Sequence, residues 1–201
     1  LLDCVNLNPD KAAQYPWELS GGERRRVGIA RILAVDPEFI VADEPVAALD
    51  LSIKSQVINL LTDLREQRRL TYLFISHDID VVRYVSDRVA VMYLGAIVEV
   101  GNTDEVSEAR CLHPYTRQLL AAADYMSSGR AQSGAGRIEG GLNWEVPTEM
   151  PSGCRYHPRC ALYQKLGRPP SCRMEIPTLS LYEPDGETSH SAACHFAGEK
   201  V

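Results

Sequence analysis

The first 125 residues of the chain alternate short apolar runs with amphipathic segments. Phe39–Ala42 and Thr71–Ile75 are largely apolar runs with the length of buried strands. Between them, apolar side chains recur at helical spacing from Ile53 to Leu64, and Ser52 is the expected helix cap. A strand, a helix and a strand of these lengths predict two parallel strands joined by a right-handed crossover.

The pattern after this unit predicts shorter elements. We expect a short helix at 79–86, an antiparallel edge hairpin over Arg88–Val100 that turns at Leu94-Gly95, and helices at 103–109 and 114–123. Residues 127–141 then contain five Gly and three Ser, which is typical of a flexible linker.

The composition divides the chain into three predicted segments. We expect an α/β domain with a parallel sheet and flanking helices over 1–125, a linker over 126–141 and a small, irregular Cys-rich extension over 142–201. The chain opens at Leu1 in the middle of a pattern, without a signal peptide, so we expect it to be part of a longer protein.

Charge and hydropathy argue against two broad classes of function. The chain of 201 residues carries 21 Lys and Arg against 27 Asp and Glu, a formal charge of −6. This balance gives no general affinity for nucleic acid, so an anion site has to be built locally. The longest apolar run, Val89–Val98, is about half the length of a membrane-spanning helix.

A glycine pair lies at the start of a predicted helix. Ser20 and Glu23 have the spacing of a capping box, which would make this an ordinary helix start. That interpretation does not explain Gly21 and Gly22, which cost a helix about 1 kcal/mol each relative to Ala. Bare N–H groups at the positive end of a helix are instead suited to phosphate, so both interpretations remain open.

Polar side chains follow both predicted strands. Asp43 and Glu44 come directly after the first strand, and His77 follows the second. Ligands of open parallel sheets bind at this carboxyl edge, where Asp43 could hold Mg²⁺ and Glu44 could orient or deprotonate a water. The alternative is a polar strand end before a Pro turn, with a structural His.

Taken together, these motifs resemble the second half of an ABC-type ATPase and its nucleotide-binding domain. The resemblance identifies the signature motif at 19–23, Walker B ending at Asp43, the catalytic Glu44, the D-loop ending at Asp50 and the switch His77. Three further stretches resemble the oligopeptide/dipeptide importer branch: Tyr15–Glu18, His113–Thr116, and Gly153–Cys160 with Ala192–His195. The chain departs from the family at Glu23, where Gln is usual, and at Ala47, where Ser is usual.

The resemblance implies how the residues act. Two ATPase subunits close head to tail over two ATP molecules with Mg²⁺, so that Ser20, Gly21 and Gly22 would serve the nucleotide of the partner. Asp43, Glu44, His77 and Asp50 would serve the catalytic site, with Glu44 and His77 as catalytic residues and the two Asp in nucleotide and Mg²⁺ binding. No Gly is followed by Lys, so the phosphate loop is absent, and we expect the chain alone not to be competent.

The implied partners place the protein at a membrane. Transmembrane permease subunits would anchor it at the cytoplasmic face of the cell membrane, and a peptide-binding protein would act indirectly. Two other functions remain: a nucleic-acid-acting ABC ATPase, suggested by Arg24–Arg26, and a metal-sensing regulatory module without catalysis of its own. The acidic balance and the lack of a coiled-coil insert argue against nucleic acid.

Four cysteines lie in the predicted extension: Cys154, Cys160, Cys172 and Cys194. Disulfides rarely persist in the reducing cytosol where an ATPase works, which leaves a metal site or four unrelated thiols. Ligand count and spacing do not distinguish zinc from an iron–sulfur cluster. The resemblance to the peptide-importer branch implies a [4Fe–4S] cluster, with Zn²⁺ as the alternative.

Overall fold

The computed structural model describes residues 1–107, 109–127, 149–182 and 189–199. The chain divides into two compact units, Leu1–Val85 and Ser86–Val201. Residues 126 and 127 of the predicted linker belong to a helix, and the rest of the linker lies outside the described residues. The boundaries at 125 and 141 therefore stay a prediction. Within the described ranges, no helix combines the length and the hydropathy needed to span a membrane.

The first unit is a strand–helix–strand unit preceded by a helix. After three short 3₁₀ helices, its elements are α1 (Gly21–Leu33), β1 (Phe39–Asp43), α2 (Leu51–Arg68), β2 (Thr71–Ile75) and α3 (Ile79–Val85). β1 and β2 pair in parallel, with Phe39 opposite Thr71 and Asp43 opposite Ile75. The predicted parallel pair and its helical crossover are confirmed.

The N-cap of helix α2 lies two residues before the predicted cap. Its N-cap is Asp50, whose Oδ1 accepts a hydrogen bond from the backbone N–H of Ile53 at 3.0 Å. The prediction of Ser52 as the cap is therefore wrong, because an aspartate two positions earlier satisfies the first free amides of the helix. The buried face of α2 includes Val57 and Leu64, as its spacing predicts.

One face of the β1–β2 pair is apolar and exposed. Phe39, Val41, Leu73 and Ile75 alternate with inward-facing residues and keep roughly half of their surface accessible. The opposite face contributes Ile40 to the buried cluster that contains Val5, Leu33 and Leu64. Parallel sheets are usually covered on both faces, so this exposed face is unusual for its topology.

The second unit is built on a four-stranded antiparallel sheet. Its elements are β3 (Arg88–Tyr93), β4 (Ala96–Asn102), α4 (Pro114–Ser127), α5 (Ala161–Lys165), α6 (Ser171–Met174), β5 (Ser180–Leu181) and β6 (Ser191–Ala192), and the strand order is β3-β4-β6-β5. The hairpin turns at Leu94 and Gly95, which both have positive φ as a tight two-residue turn requires. The predicted hairpin and the helix from 114 are confirmed.

Two expectations for this unit are corrected. β4 is an interior strand and not an edge strand, because β6 pairs with it through Ala192 and Ser191. The helix expected at 103–109 is absent from the described residues 103–107, which form turns. Thr103 is held instead by hydrogen bonds to the carbonyls of Asp87 and Ser86, at 3.1 and 2.5 Å, which fix the chain outside a helical path. A separate Cys-rich extension is likewise not confirmed.

A buried carboxylate joins the sheet of this unit to its C-terminal segment. Glu99 on β4 is fully buried and accepts hydrogen bonds from the backbone N–H groups of Leu112 and His113, at 2.8 and 2.9 Å. Nε2 of His190 lies 2.7 Å from the same carboxylate. These contacts satisfy a group that would otherwise be costly to bury.

His113 gives the second unit a pH dependence. Burial lowers the pKa of His113 to about 4 from an ordinary value of 6.5. Between these two values the unfolded chain binds a proton that the folded chain does not, so stability falls as the pH falls through this window. We expect a loss of about 3 kcal/mol between pH 6.5 and 4.

Urea unfolding at several pH values would measure this loss. Replacing His113 with Asn removes the titration while keeping an acceptor for the N–H of Tyr115, which donates to Nδ1 of His113 at 3.1 Å. The stability of this variant should change less between pH 6.5 and 4 than that of the parent protein. Equal slopes for the two proteins would contradict the assignment to His113.

Candidate active site

The carboxyl edge of the β1–β2 pair brings Glu44 and His77 into contact. The N–H of Glu44 donates to the carbonyl of Ile75 at 2.9 Å and so extends the strand pairing by one residue. Glu44 Oε1 lies 2.8 Å from Nδ1 of His77, whose side chain is 80% exposed. Asp43, the last residue of β1, is exposed beside them. Three residues expected at this edge are therefore close together.

The backbone of Glu44 is held in an uncommon conformation. Its φ is 46°, in the left-handed region that costs a side-chain-bearing residue about 1–2 kcal/mol. Several hydrogen bonds surround this residue: its carbonyl accepts one from Arg25 Nη2 at 2.7 Å and one from the N–H of Ala47 at 3.2 Å. Strain of this kind persists only where neighbouring contacts fix it.

The second carboxylate oxygen of Glu44 has no partner within the described part of the chain. Oε2 is buried and makes no hydrogen bond, whereas Oε1 is used by His77. A buried carboxylate oxygen is stable only with a donor or a cation beside it. Glu44 with the neighbouring Asp43 therefore fits a water that is itself held close to Mg²⁺, since carboxylates are the ligands that this ion prefers.

The helix start at residues 20–23 is a complete capping box. Ser20 Oγ accepts from the N–H of Glu23 at 3.2 Å, and Glu23 Oε2 accepts from the N–H of Ser20 at 2.8 Å. Lys11 Nζ lies 3.0 Å from the other oxygen of Glu23. The N–H of Ser20 and then Lys11 lower the pKa of Glu23 to about 2. The carboxylate of Glu23 thus stabilises the start of α1 through these contacts.

The two glycines of this turn differ in what surrounds them. A Cβ on Gly22 would lie 3.1 Å from Cγ2 of Ile53, so close helix packing accounts for this glycine. A Cβ on Gly21 would meet nothing within 4 Å. The fold itself does not require Gly21, and its bare N–H lies in the first turn of α1, where an anion is favoured.

Asp50 uses its carboxylate within the fold. Oδ1 caps α2, as described above, and the residue is exposed just after the Glu44 turn. Lys54 and Asp78 form an ion pair that the sequence did not single out. Burial opposes ionisation of Asp78, but the hydrogen bonds from Lys54 and from the N–H of Val81 outweigh it and lower the pKa of Asp78. This pair ties α2 to the residue after His77.

The run Arg24–Arg26 binds backbone carbonyls. Arg24 donates to the carbonyl of Leu19 at 2.6 Å, and Arg26 donates to the carbonyl of Asn6 at 3.2 Å. Arg25 reaches the Glu44–Pro45 turn, with Nε 2.6 Å from the carbonyl of Pro45. The sequence suggested a nucleic-acid contact for this run. The role of this run depends on its tertiary contacts with these carbonyls, and the spacing of the Arg residues in the sequence does not indicate such contacts.

The four cysteines of the predicted metal site line one small pocket together with aromatic side chains. Cys154, Cys160, Cys172 and Cys194 are all free thiols there. Burial raises the pKa of each of these thiols, that of Cys194 to about 12.

The prediction of a [4Fe–4S] cluster is wrong. The described residues include all four cysteines, and within them no three His, Cys, Asp or Glu side chains are grouped so that they could hold a metal ion. The same finding leaves the Zn²⁺ alternative without support. The error arose because the cluster was taken from the resemblance, while ligand count and spacing did not distinguish a cluster from zinc.

Two family profiles match the chain. One is described as "ABC transporter" and matches residues 1–47. The other is described as "Oligopeptide/dipeptide transporter, C-terminal region" and matches residues 98–165. The first match covers the signature helix and the Glu44 turn, and the second covers β4, α4 and the first two cysteines of the pocket.

Similar proteins carry related descriptions. The oligopeptide transport ATP-binding protein AppF of Bacillus subtilis is 46% identical over 197 residues, which are 97% of this chain and 56% of the relative. The oligopeptide transport ATP-binding protein OppF of Bacillus subtilis is 57% identical over 122 residues, 61% of this chain and 40% of the relative. Two of the relatives match this chain along 97% of its length. The chain in turn spans only about half the length of these relatives.

A solved structure is also similar to the chain. It shows a metal-chelate type ABC transporter in an inward-facing conformation, with a TM-score of 0.52 and 29% identity over 60% of this chain and 45% of that chain. The similar sequences are described as ATP-binding proteins of peptide transporters, which does not favour the nucleic-acid alternative.

Proposed function

We propose that this chain belongs to the ABC transporter ATP-binding proteins of the oligopeptide/dipeptide branch, and that it is part of the subunit that hydrolyses ATP to power peptide import. The contact between Glu44 and His77 at the carboxyl edge carries the proposal, because it pairs a carboxylate with an exposed imidazole where nucleotides bind in parallel sheets. The peptide cargo is inferred from the relatives' descriptions.

Glu44 acts in this proposal as the general base. Its carboxylate accepts a proton from the water that attacks the γ-phosphorus of ATP, as the new P–O bond forms and the bond to ADP breaks. His77 contacts Oε1 of Glu44, and Oε2, which is buried and has no partner among the described residues, is the oxygen that would receive the water. This division of the two oxygens supports Glu44 as base and His77 as the residue that orients it.

Asp43 and Asp50 provide the negative charge for Mg²⁺. Asp43 is exposed next to Glu44 and is suited to hold the ion, which neutralises charge on the phosphates when bound. Asp50 lies at the start of α2 and adds negative charge there, but one of its carboxylate oxygens already caps the helix. Of the two, Asp43 is the better candidate for a direct contact.

Ser20, Gly21 and Gly22 bind the nucleotide of a second subunit. The N–H groups at the start of α1 favour a phosphate, and the open space at Gly21 allows its approach. In this arrangement two ATPase subunits pair head to tail, and transmembrane permease subunits hold them at the cytoplasmic face of the membrane. A peptide-binding protein would supply the cargo from the other side.

Replacing Gly21 with Ala tests this role of the signature turn. Since a Cβ at Gly21 meets nothing within 4 Å, the substitution should leave the fold intact and stabilise α1 by up to about 1 kcal/mol. The added methyl group should nevertheless lower peptide-stimulated ATP hydrolysis of the complete transporter by about 10-fold or more, because it blocks close approach of the phosphate. ATP hydrolysis and thermal unfolding together measure the two effects.

Gly28→Ala is the matched control. Gly28 lies on the same helix, and a Cβ there also meets nothing within 4 Å. This variant should show a similar gain in stability and unchanged hydrolysis. Unchanged hydrolysis in Gly21→Ala as well would exclude Gly21 from nucleotide binding. Hydrolysis that does not respond to peptide in the unmodified transporter would contradict peptide import.

A further inference from the structure

We infer that Arg25 is a positioning residue for Glu44, holding the backbone of the catalytic turn from the signature helix. The inference rests on the proposed function, because it assumes that Glu44 is the general base. Arg25 lies on α1, five positions after Ser20, and its side chain is only partly exposed. Nothing in its sequence position indicates a link to Glu44.

Arg25 makes two short hydrogen bonds to consecutive carbonyls. Its Nη2 donates to the carbonyl of Glu44 at 2.7 Å, and its Nε donates to the carbonyl of Pro45 at 2.6 Å. The two donors belong to one planar guanidinium, so they fix the Glu44–Pro45 and Pro45–Val46 peptide groups relative to each other. A Lys side chain, which has a single donor group, would hold one of the two carbonyls but would not fix the orientation of one relative to the other.

This clamp acts where the backbone needs support. Glu44 has a φ of 46°, and Pro45 has no N–H with which to stabilise the turn. Without Arg25, the turn would keep the Glu44 N–H bond to Ile75 and the Ala47 N–H bond to the Glu44 carbonyl, but it would lose both side-chain donors to the consecutive carbonyls. The carboxylate would then sample positions in which its contact with His77 is lost.

The clamp also links the two ligand-facing parts of the first unit. The signature residues Gly21, Gly22 and Glu23 lie in the first turn of α1, and Arg25 follows in the next turn of the same helix. A shift of α1 on engaging a phosphate would therefore be passed to the Glu44 carbonyl through two hydrogen bonds. Arg25 thus provides a direct route by which the nucleotide at the signature of one subunit influences the base of that same subunit.

The test compares Arg25 variants in the complete transporter. For Arg25→Ala we expect kcat for ATP hydrolysis to fall by about 10- to 100-fold, with KM for ATP changed by less than about 3-fold, because the base is misplaced while nucleotide contacts remain. Arg25→Lys should recover part of the loss, since it restores one of the two donors. ATP hydrolysis rates across a range of ATP concentrations separate kcat from KM.

Arg26→Ala is the matched control for a loss of helix stability. Arg26 also donates to two backbone carbonyls, those of Val5 and Asn6, but away from the Glu44 turn. It should keep kcat within about 3-fold of the unmodified protein. Equal losses of kcat in Arg25→Ala and Arg26→Ala would overturn the inference, as would an unchanged kcat in Arg25→Ala.

A double-mutant cycle with Glu44→Gln separates this inference from the proposed function. If Arg25 acts through Glu44, adding Arg25→Ala to Glu44→Gln should lower the residual rate no further. Additive losses would mean that Arg25 acts elsewhere. If Glu44→Gln alone retains turnover, the proposed function fails; if Glu44→Gln is inactive while Arg25→Ala keeps its kcat, only the role of Arg25 fails.

Discussion

With Glu44 replaced by Gln, the complete transporter should hydrolyse ATP about 10²- to 10⁴-fold more slowly while its affinity for ATP stays unchanged. Gln has the size of Glu and can still contact His77, but it cannot accept a proton at neutral pH. The change therefore removes the base without removing the side chain. Steady-state ATP hydrolysis and equilibrium binding of ATP measure the two quantities separately.

Glu66→Gln serves as the control for this variant. Glu66 is exposed on α2, so the same chemical change there should leave hydrolysis unaffected. Turnover of Glu44→Gln at a near-normal rate would remove Glu44 from its role as base. A loss of ATP affinity together with turnover would instead indicate that Glu44 binds the nucleotide.

Replacing Glu99 with Ala should destabilise the second unit by about 3–5 kcal/mol. The substitution leaves the buried N–H groups of Leu112 and His113 without their acceptor and separates His190 from its carboxylate. Urea unfolding followed by near-UV circular dichroism would detect this, because Tyr93, Tyr115 and Tyr156 pack against one another in the same unit.

The exposed Glu175 provides the comparison, since Glu175→Ala removes a carboxylate from the same unit without exposing unpaired donors. It should change stability by less than about 0.5 kcal/mol. If Glu99→Ala were as mild as Glu175→Ala, the contacts of the buried carboxylate would contribute little to the fold.

The strand–helix–strand unit could be predicted because its signals are local. The apolar run Phe39–Ala42 is too short for a helix, and the spacing of Val57 and Leu64 has a helical period. Parallel pairing then follows from the crossover length alone. For the same reason Glu44 and His77 were expected at one edge, and they are in contact there.

The features that were missed depend on partners that are distant in sequence. Arg25 contacts the Glu44 turn 19 residues away, and Glu99 meets His190 across 91 residues. No local pattern encodes such a pair, because an Arg run or a lone Glu on a strand is also common where these side chains lie at the surface without such a partner. The helix expected at 103–109 failed similarly, because Thr103 is held by Ser86 and Asp87.

The partnership of Glu99 and His190 bears on how the C-terminal third can be dissected. Removing residues 142–201 would take away β6 and the imidazole together, so β4 would gain an unpaired edge and Glu99 would lose its contact with His190. Any defect of such a truncated protein would then result from destabilisation of the hairpin and would not identify a function of the missing segment. A cleaner dissection keeps β6 and alters the pocket cysteines one at a time.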